Sequence, residues 1–299
     1  MTVRRWMKVN TASLVGRTVA ITGTTGGLGR SLCRHLAGLG ANLILLDRST
    51  ERSEAFRAEL LREFSNVNIQ CVRMDLEDMG SVRKAVSVLE HLPLDVLIHN
   101  AGAYSIPRKT CDTGWDNVFQ INFLAPYYMT RRLLPQLRSA RGRVIVVGSI
   151  AHNYSETDPK DVDFHTRVKA SKVYGNAKRY LMFSMYELFR EETEVSLSVT
   201  HPGITFTNIT AHYPKVIFAL IKHPMKVIFM RPRKASLSVL RGVFDSCGDC
   251  EWIGPRWFGI WGFPKKTRLR TASADEQRRI GETAERLMKE LELHDEHMG

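Results

Sequence analysis

Arg17-Thr-Val-Ala-Ile-Thr-Gly-Thr-Thr-Gly-Gly-Leu-Gly29 is the stretch that decides the fold. Residues 17–22 have the apolar, β-branched character of a buried strand, and a helix is expected to begin among the glycines that follow. Glycines at such a bend let the backbone turn tightly and approach a pyrophosphate, whose charge is met by the free N–H groups of the helix N terminus. By itself, the loop is equally compatible with a plain strand-to-helix turn.

Apolar runs of strand length alternate with segments of helical period along the rest of the chain. The predicted strands are 17–22, 42–47, 69–74, 94–99, 143–148, 195–200 and a short one near 251–253. The predicted helices are 28–39, 51–64, 79–91, 114–138 and 171–191. This alternation predicts an α/β Rossmann fold, a doubly wound parallel sheet of about seven strands with helices on both faces. Ligand-binding residues are then expected just after the strands.

The 299 residues are expected to form a single domain, because the strand and helix signals continue without a linker. A hydrophobic content of 43% is enough for a full core. The tail 273–294 carries apolar residues at 280, 284, 287, 288 and 291, which predicts a charged amphipathic helix.

Neither a membrane span nor a secretory signal is visible in the sequence, which predicts a cytoplasmic protein. No stretch of 18 apolar residues occurs, and the first fifteen residues lack an apolar core. Five scattered cysteines, at 33, 71, 111, 247 and 250, suit a reducing compartment. Cys247 and Cys250 lack the further ligands that a zinc site requires, so no metal site is predicted.

The excess positive charge is concentrated in one segment. The net charge is +12, and residues 213–270 contain twelve Lys and Arg against three acidic residues. This segment is also rich in Phe, Trp and Ile, a mixture that favours an anionic membrane surface over nucleic acid. The part 213–234 is therefore a candidate for peripheral membrane contact, and no nucleic-acid partner is predicted.

Acidic and small residues follow three further strands, where a dinucleotide would lie. Asp47 ends the second strand, at the position of an acid that takes the adenosine ribose hydroxyls. Asp47 would repel the extra phosphate of NADP, whereas Arg48 could attract it, and on balance NAD(H) is favoured. Asp75-Leu76 could contact the adenine. The small residues of Asn100-Ala101-Gly102 could let the cofactor lie against the sheet edge.

A catalytic constellation is predicted after the fifth strand. Tyr174 and Lys178 share a helical face, so the ammonium can lie near the phenol and lower its pKa. Tyr174 would then act as general acid or base, and Ser149 would donate a hydrogen bond to the substrate oxygen. Asn122, a poor helix former inside the 114–138 helix, could hold a water that links Lys178 to solvent, or could simply mark a kink.

Together these motifs resemble the short-chain dehydrogenase/reductase family over roughly residues 15–260. Within the family, the Gly-Ser-Ile-Ala-His sequence beginning at 148 and the His-Pro-Gly at 201–203 look most like the retinol dehydrogenase and WW-domain oxidoreductase branch. The resemblance implies the catalytic residues Asn122, Ser149, Tyr174 and Lys178. The implied cofactor-binding residues are Thr22, Gly23, Gly27, Leu28, Gly29, Asp47, Arg48, Asp75, Leu76, Asn100, Ala101, Gly102, Tyr174, Lys178, Pro202, Gly203 and Thr207. The family also implies a homo-oligomer.

The substrate is expected to be a hydrophobic carbonyl or alcohol such as a steroid, retinoid, polyketide or long-chain compound. Residues 205–245 follow the sixth strand and are predicted to form a greasy lid over the pocket. The alternatives for 213–234 are a membrane contact and a dimer interface. The alternative function is a catalytically silent NAD(H)-binding sensor or scaffold, and an intact tetrad argues against it.

Overall fold

A computed structural model describes residues 1–203, 230–269 and 272–296, and the elements are numbered in their order among these residues. The strands are β1 Thr18–Thr22, β2 Asn42–Asp47, β3 Ile69–Arg73, β4 Val96–His99, β5 Arg143–Val147, β6 Ser196–Thr200, β7 Glu251–Trp257 and β8 Trp261–Arg268. The α-helices are α1 Val3–Asn10, α2 Gly27–Gly38, α3 Thr50–Glu63, α4 Met79–Leu89, α5 Asn117–Phe119, α6 Ala125–Ser139, α7 Ala170–Leu188, α8 Pro232–Phe244 and α9 Ala274–Glu296.

The eight strands form one sheet in the order β3-β2-β1-β4-β5-β6-β7-β8. Every neighbouring pair from β3 to β7 is parallel, which confirms the predicted doubly wound sheet. One face is covered by α4, α6, α7 and α9, and the other by α1, α2, α3 and α8. The strand order reverses beside β1, so a crevice for a ligand opens there, at the carboxyl ends of β1 and β4.

The sequence-based assignment missed β8 and shortened β7. These strands pair antiparallel as a hairpin, and β8 lies at the edge of the sheet. Its sequence Trp-Gly-Phe-Pro-Lys-Lys-Thr-Arg has no apolar run, and Pro264 and two lysines are typical of an edge strand with one neighbour. Helix α1 was missed as well, because it buries only Trp6.

The predicted helix 114–138 is three consecutive helical pieces. It begins at Asn117 because Asp116 caps it, with one carboxylate oxygen accepting from the N–H groups of Val118 and Phe119 at 3.0 and 3.3 Å. Residues Gln120–Leu124 form a π-helical turn between α5 and α6. Asn122 therefore lies in a single-turn bulge, a feature that is frequent at functional sites.

Residues 205–229 of the predicted 205–245 lid lie outside the described residues, as does most of the 213–234 segment. Residues 232–244 form α8, which packs into the core through Leu237, Val239 and Leu240. The tail forms α9, and the apolar residues at 280, 284, 287, 288 and 291 are all buried. Among the described helices, none has both the length and the apolarity needed to cross a membrane.

Candidate active site

A cavity of about 1390 Å³ follows the carboxyl ends of the parallel strands. The sequence-predicted residues that line it are Thr22, Gly23, Gly27, Leu28, Gly29, Asp47, Arg48, Asp75, Leu76, Asn100, Ala101, Gly102, Ser149, Tyr174, Lys178, Pro202 and Gly203. Asn122 does not line it, and Thr207 lies outside the described residues. The same cavity thus joins the glycine loop at one end to Ser149 and Tyr174 at the other.

The glycine loop leaves no room for side chains where the chain crosses over itself. A Cβ on Gly29 would lie 2.3 Å from the carbonyl oxygen of Gly23 and 2.8 Å from the Cα of Thr24. Gly23 has a φ of +70° and packs against Ala101, which a side chain would meet at 3.0 Å. The first turn of α2 is therefore open along the cavity wall, and its free N–H groups suit a pyrophosphate.

Asn100 and Thr22 fix the loop to the end of β4. The Asn100 amide nitrogen donates to the carbonyl oxygens of Thr22 and Gly23 at 2.9 and 3.1 Å. The Thr22 hydroxyl accepts from the backbone N–H groups of Asn100 and Ala101 at 3.0 and 2.9 Å. These bonds keep the floor of the cavity flat and rigid, which suits a planar ring system.

Asp47 is buried beneath the loop, and its hydrogen bonds go to the protein. Its carboxylate accepts from the Thr24 hydroxyl, from the Ser53 hydroxyl at 3.1 Å, and from the N–H and hydroxyl of Thr25 at 3.2 and 3.3 Å. Exposed Arg48 and Arg52 line the same cavity, and no ion pair of either is present within the described part of the chain. The wall is thus more cationic than the sequence suggests.

Ser149 and Tyr174 are brought together at the far end. The Ser149 side chain caps the 3-10 turn Ile150–Tyr154, accepting from the Ala151 N–H at 3.2 Å. Burial raises the pKa of Tyr174 to about 12, although a hydrogen bond with Ser149 opposes the rise. Burial therefore favours the neutral phenol and opposes the lowering of the pKa that the Lys178 ammonium and the positive nicotinamide ring are expected to produce.

Lys178 lies under the Tyr174 ring, with its ammonium 5.8 Å from the ring centroid. The ammonium donates to the carbonyl oxygen of Val147 at 2.9 Å. Burial lowers the pKa of Lys178 to about 7, so its own positive charge is weakened.

The Asn122 amide bonds to backbone groups on either side of it. Its nitrogen donates to the carbonyl oxygens of Ala103 and Val118 at 2.9 and 2.8 Å, and its oxygen accepts from the Ala103 N–H at 3.3 Å. A Cβ on Gly102 would lie 2.8 Å from that oxygen and 3.4 Å from the Lys178 Nζ. Asn122 therefore positions the 101–103 loop beside Lys178.

Sequence reasoning missed several residues of the wall near Tyr174. Tyr104 meets the Tyr174 ring edge-on at 5.3 Å, and Ile106, Ile150 and Tyr154 also line the cavity. Tyr104 and Ile106 follow β4 closely, so the rule that site residues come after strands could have found them. The same rule could have found Ile150, three residues after β5, whereas Tyr154 lies at the far end of a 3-10 turn without a clear sequence signal.

Gly148 and His99, at the ends of neighbouring strands, are in close contact with the helices that cover the sheet. A Cβ on Gly148 would lie 2.7 Å from the Met182 sulfur, so a larger residue there requires the Met182 side chain to move. His99 is buried, and its Nε2 lies 2.8 Å from the Thr130 hydroxyl. Because that hydroxyl already donates to the Pro126 carbonyl at 2.9 Å, it accepts from His99. His99 thus joins β4 to α6.

No group of three or more His, Cys, Asp or Glu side chains is placed to hold a metal ion within residues 1–203, 230–269 and 272–296. The five cysteines are free thiols. The Cys247 thiol lies 3.6 Å from the Val199 carbonyl oxygen, which it contacts as a packed side chain.

The model of the short chain dehydrogenase family matches residues 17–215. Among curated proteins, mouse retinol dehydrogenase 14 is 30% identical over 262 residues, covering 82% of this chain and 78% of its own. Human retinol dehydrogenase 13 is 31% identical over 207 residues, and the match spans 67% of this chain and 62% of that relative. This chain therefore spans less than two thirds of that relative's length.

The fold has close counterparts among solved structures. An uncharacterized protein from Mycobacterium Paratuberculosis superimposes with a TM-score of 0.75 at 27% identity, covering 94% of this chain and 96% of that one. The Pseudomonas aeruginosa RhlG/NADP active-site complex has a TM-score of 0.59 at 24% identity over 79% of this chain and 91% of that one, which supports the fold alone. With the family model matched over most of the sheet, this chain belongs to the short-chain dehydrogenase/reductase family of oxidoreductases.

Proposed function

We propose that this oxidoreductase interconverts a hydrophobic alcohol and its aldehyde or ketone, with Tyr174 as the proton donor or acceptor. The observation that carries the proposal is the single cavity that joins the glycine loop to Ser149 and Tyr174. Near Tyr174, its wall includes Tyr104, Ile106 and Ile150, which suit an apolar substrate. The retinol dehydrogenases among its relatives support a retinoid, steroid, polyketide or long-chain carbonyl.

Tyr174 moves the proton in this mechanism, and the bound nicotinamide supplies or accepts the hydride. The phenol, held neutral by burial, gives its proton to the substrate oxygen during reduction. Ser149 donates a hydrogen bond to the same oxygen as negative charge develops on it. A neutral Tyr174 suits the reduction of a carbonyl, and alcohol oxidation requires a phenolate, which a nearby positive charge stabilises.

Lys178 and Asn122 support this step in different ways. The Lys178 ammonium lies under the Tyr174 ring, and its positive charge stabilises the phenolate that forms when Tyr174 gives up its proton. Asn122 acts as a positioning residue for the loop 101–103, in place of the proton relay that the resemblance implies.

The choice of cofactor depends on the wall around Asp47. The sequence favours NAD(H) because Asp47 ends β2, but its carboxylate oxygens accept four hydrogen bonds from Thr24, Thr25 and Ser53. Arg48 and Arg52 stand on the same wall as exposed cations that suit a phosphate. We therefore propose that the pocket binds both cofactors and prefers NADP(H) to NAD(H).

We propose that the protein is a cytoplasmic homo-oligomer that contacts a membrane peripherally. The family resemblance supports the oligomer. Light scattering of the purified chain checks the assembly, and a monomeric mass would contradict it.

A catalytically silent sensor is the competing function. It requires tight cofactor binding without turnover, and the intact Ser149, Tyr174 and Lys178 cluster disfavours it.

The experiment is a titration with NADH and NADPH, followed by their absorbance in the presence of aldehydes and ketones of increasing chain length. We expect cofactor oxidation, with kcat/KM rising with chain length because longer chains bury more apolar surface. Tight binding without oxidation by any compound would favour the sensor. A preference for short, polar carbonyls would contradict the proposed substrate class.

A further inference from the structure

The hairpin of β7 and β8 carries a cluster of exposed aromatic rings where the two strands meet. We call this segment, residues 256–262, the hairpin tip. Phe258 is 86% exposed, Trp257 59% and Trp261 39%. Single exposed aromatic residues are normal on a protein surface, but three at one tip form an apolar patch. Such patches mark contact sites for a partner or a membrane.

The backbone at the tip is unfavourable for the residue that it exposes most. The turn closes with a hydrogen bond from the Ile260 N–H to the Trp257 carbonyl at 2.9 Å. Its central residues, Phe258 and Gly259, have φ values of +53° and +68°. Asn or Asp commonly occupies the first of these positions, because a bulky side chain is strained there. Phe258 is thus disfavoured by both its conformation and its exposure, a combination that points to function.

Positive charge surrounds this aromatic tip. Arg256, within the tip, is exposed and lies over the Trp257 ring at 5.7 Å, and Lys265 is exposed four residues beyond Trp261 on β8. Glu251, at the start of β7, is the single acidic residue of the segment 251–268. Aromatic rings combined with Lys and Arg are characteristic of contacts with the headgroups of anionic lipids.

The tip also lies beside the substrate end of the cavity. A Cβ on Gly259 would lie 3.7 Å from the Ile150 side chain, and a Cβ on Gly203 would lie 2.6 Å from the Ile260 carbonyl oxygen. Ile150 and Gly203 both line the cavity. A surface that receives the tip would therefore lie next to the end of the cavity where Tyr174 stands.

We propose that the hairpin tip docks on an anionic phospholipid surface. Trp257 and Phe258 enter the headgroup region, and Arg256 and Lys265, the exposed basic residues nearer to the tip, face the lipid phosphates. This inference rests on the proposed peripheral membrane contact and names the segment that makes it, and it requires neither cofactor nor turnover. It also involves a different segment from 213–234, to which the sequence alone directs attention.

The test is flotation of the full chain with vesicles of phosphatidylcholine, with and without phosphatidylserine. We expect binding to the vesicles that contain phosphatidylserine, and weaker binding as salt is raised. Phe258→Asn removes the ring and relieves the left-handed strain, so it should weaken binding at least about tenfold while the melting temperature stays equal or rises. Val88→Ser, at an exposed position of α4, is the matched control and should bind like the unchanged chain.

Three outcomes would overturn the proposal. The first is no binding of the unchanged chain to phosphatidylserine vesicles, and the second is equal binding by Phe258→Asn and the unchanged chain. The third is self-association of the unchanged chain without vesicle binding. If Phe258→Asn abolished that self-association, the tip would be assigned to a contact with a second copy of the chain. Tyr174→Phe separates this test from that of the enzyme, since it should bind vesicles as the unchanged chain does, whatever its turnover.

Discussion

At the residue scale, the glycine loop depends on the absence of a single methyl group. Gly29→Ala would place a Cβ 2.3 Å from the Gly23 carbonyl oxygen, so the loop must open. We expect a loss of about 1–3 kcal/mol in the free energy of unfolding and at least about a hundredfold weaker cofactor binding. Equilibrium unfolding and cofactor fluorescence measure the two effects.

Gly26→Ala is the control for this change. Its Cβ would lie 3.6 Å from the same oxygen, an ordinary contact. If both variants lost binding equally, the close approach at Gly29 would not be the reason for the glycine.

Arg48 and Arg52 are predicted to determine cofactor preference. Because both are exposed on the cavity wall beside Asp47, replacing them with glutamine should weaken NADPH binding about tenfold or more and leave NADH binding nearly unchanged. Isothermal titration with the two cofactors measures the ratio. Arg62→Gln, at the C-terminal end of α3, should change neither. Equal losses for NADH and NADPH would contradict the assignment.

The residues of the glycine loop could be predicted because they directly follow the first strand. Their interactions with other parts of the chain could not be predicted. Asp47 could be located from the sequence, but its bonds to Thr24 and Ser53 depend on the packing of α3 against the loop. Similarly, the raised pKa of Tyr174 follows from burial, which a sequence does not reveal.

At the element scale, α9 is fastened to the body by a largely buried ion pair. The guanidinium of Arg179 donates to both carboxylate oxygens of Glu276 at 2.7 and 2.6 Å. Glu276→Gln leaves the Arg179 charge buried with a weaker partner, so we expect a loss of about 2–4 kcal/mol in the free energy of unfolding. Urea unfolding measures it.

The exposed pair Arg286 and Glu290 lies on the same helix and is the matched control. Glu290→Gln should change stability by no more than about 0.5 kcal/mol. Similar effects of the two substitutions would show that α9 is not held by the Arg179 contact.

Elements with strong periodicity were predicted well, whereas those whose form depends on neighbours were not. The central strands are apolar runs and were found within a residue or two. Edge strand β8 lacks an apolar run, and α8 was assigned to a lid although its apolar residues pack into the core. In the π-helical turn, the Asn122 side chain bonds to Ala103, which lies 19 residues earlier in the chain, a contact that sequence periodicity does not reveal.

At the scale of the whole molecule, buried histidines are predicted to make stability depend on pH. Burial lowers the pKa of His99 to about 3 and those of His152 and His201 to about 4. Below the ordinary value of 6.5, the unfolded chain binds protons that the folded chain refuses. Stability is thus complete above about pH 6.5 and falls as the pH falls toward about 4.

Urea unfolding at about pH 7.5 and about pH 5 should show a loss of at least about 2 kcal/mol at the lower pH. His201→Phe should reduce this loss, because it replaces a buried titratable ring stacked on Trp252 with one that takes up no proton. His165→Gln, at an exposed position, is the control. A stability that is constant across this range would contradict the prediction.

The central claim is that Tyr174 performs chemistry in a pocket that binds the cofactor without its help. The most direct test measures cofactor affinity and turnover on the same preparation of Tyr174→Phe. Since the glycine loop holds the dinucleotide and Tyr174 moves only the proton, we predict nearly unchanged affinity and a loss of turnover of at least about a hundredfold. Retained turnover, or a loss of cofactor binding that matches the loss of turnover, would contradict the account.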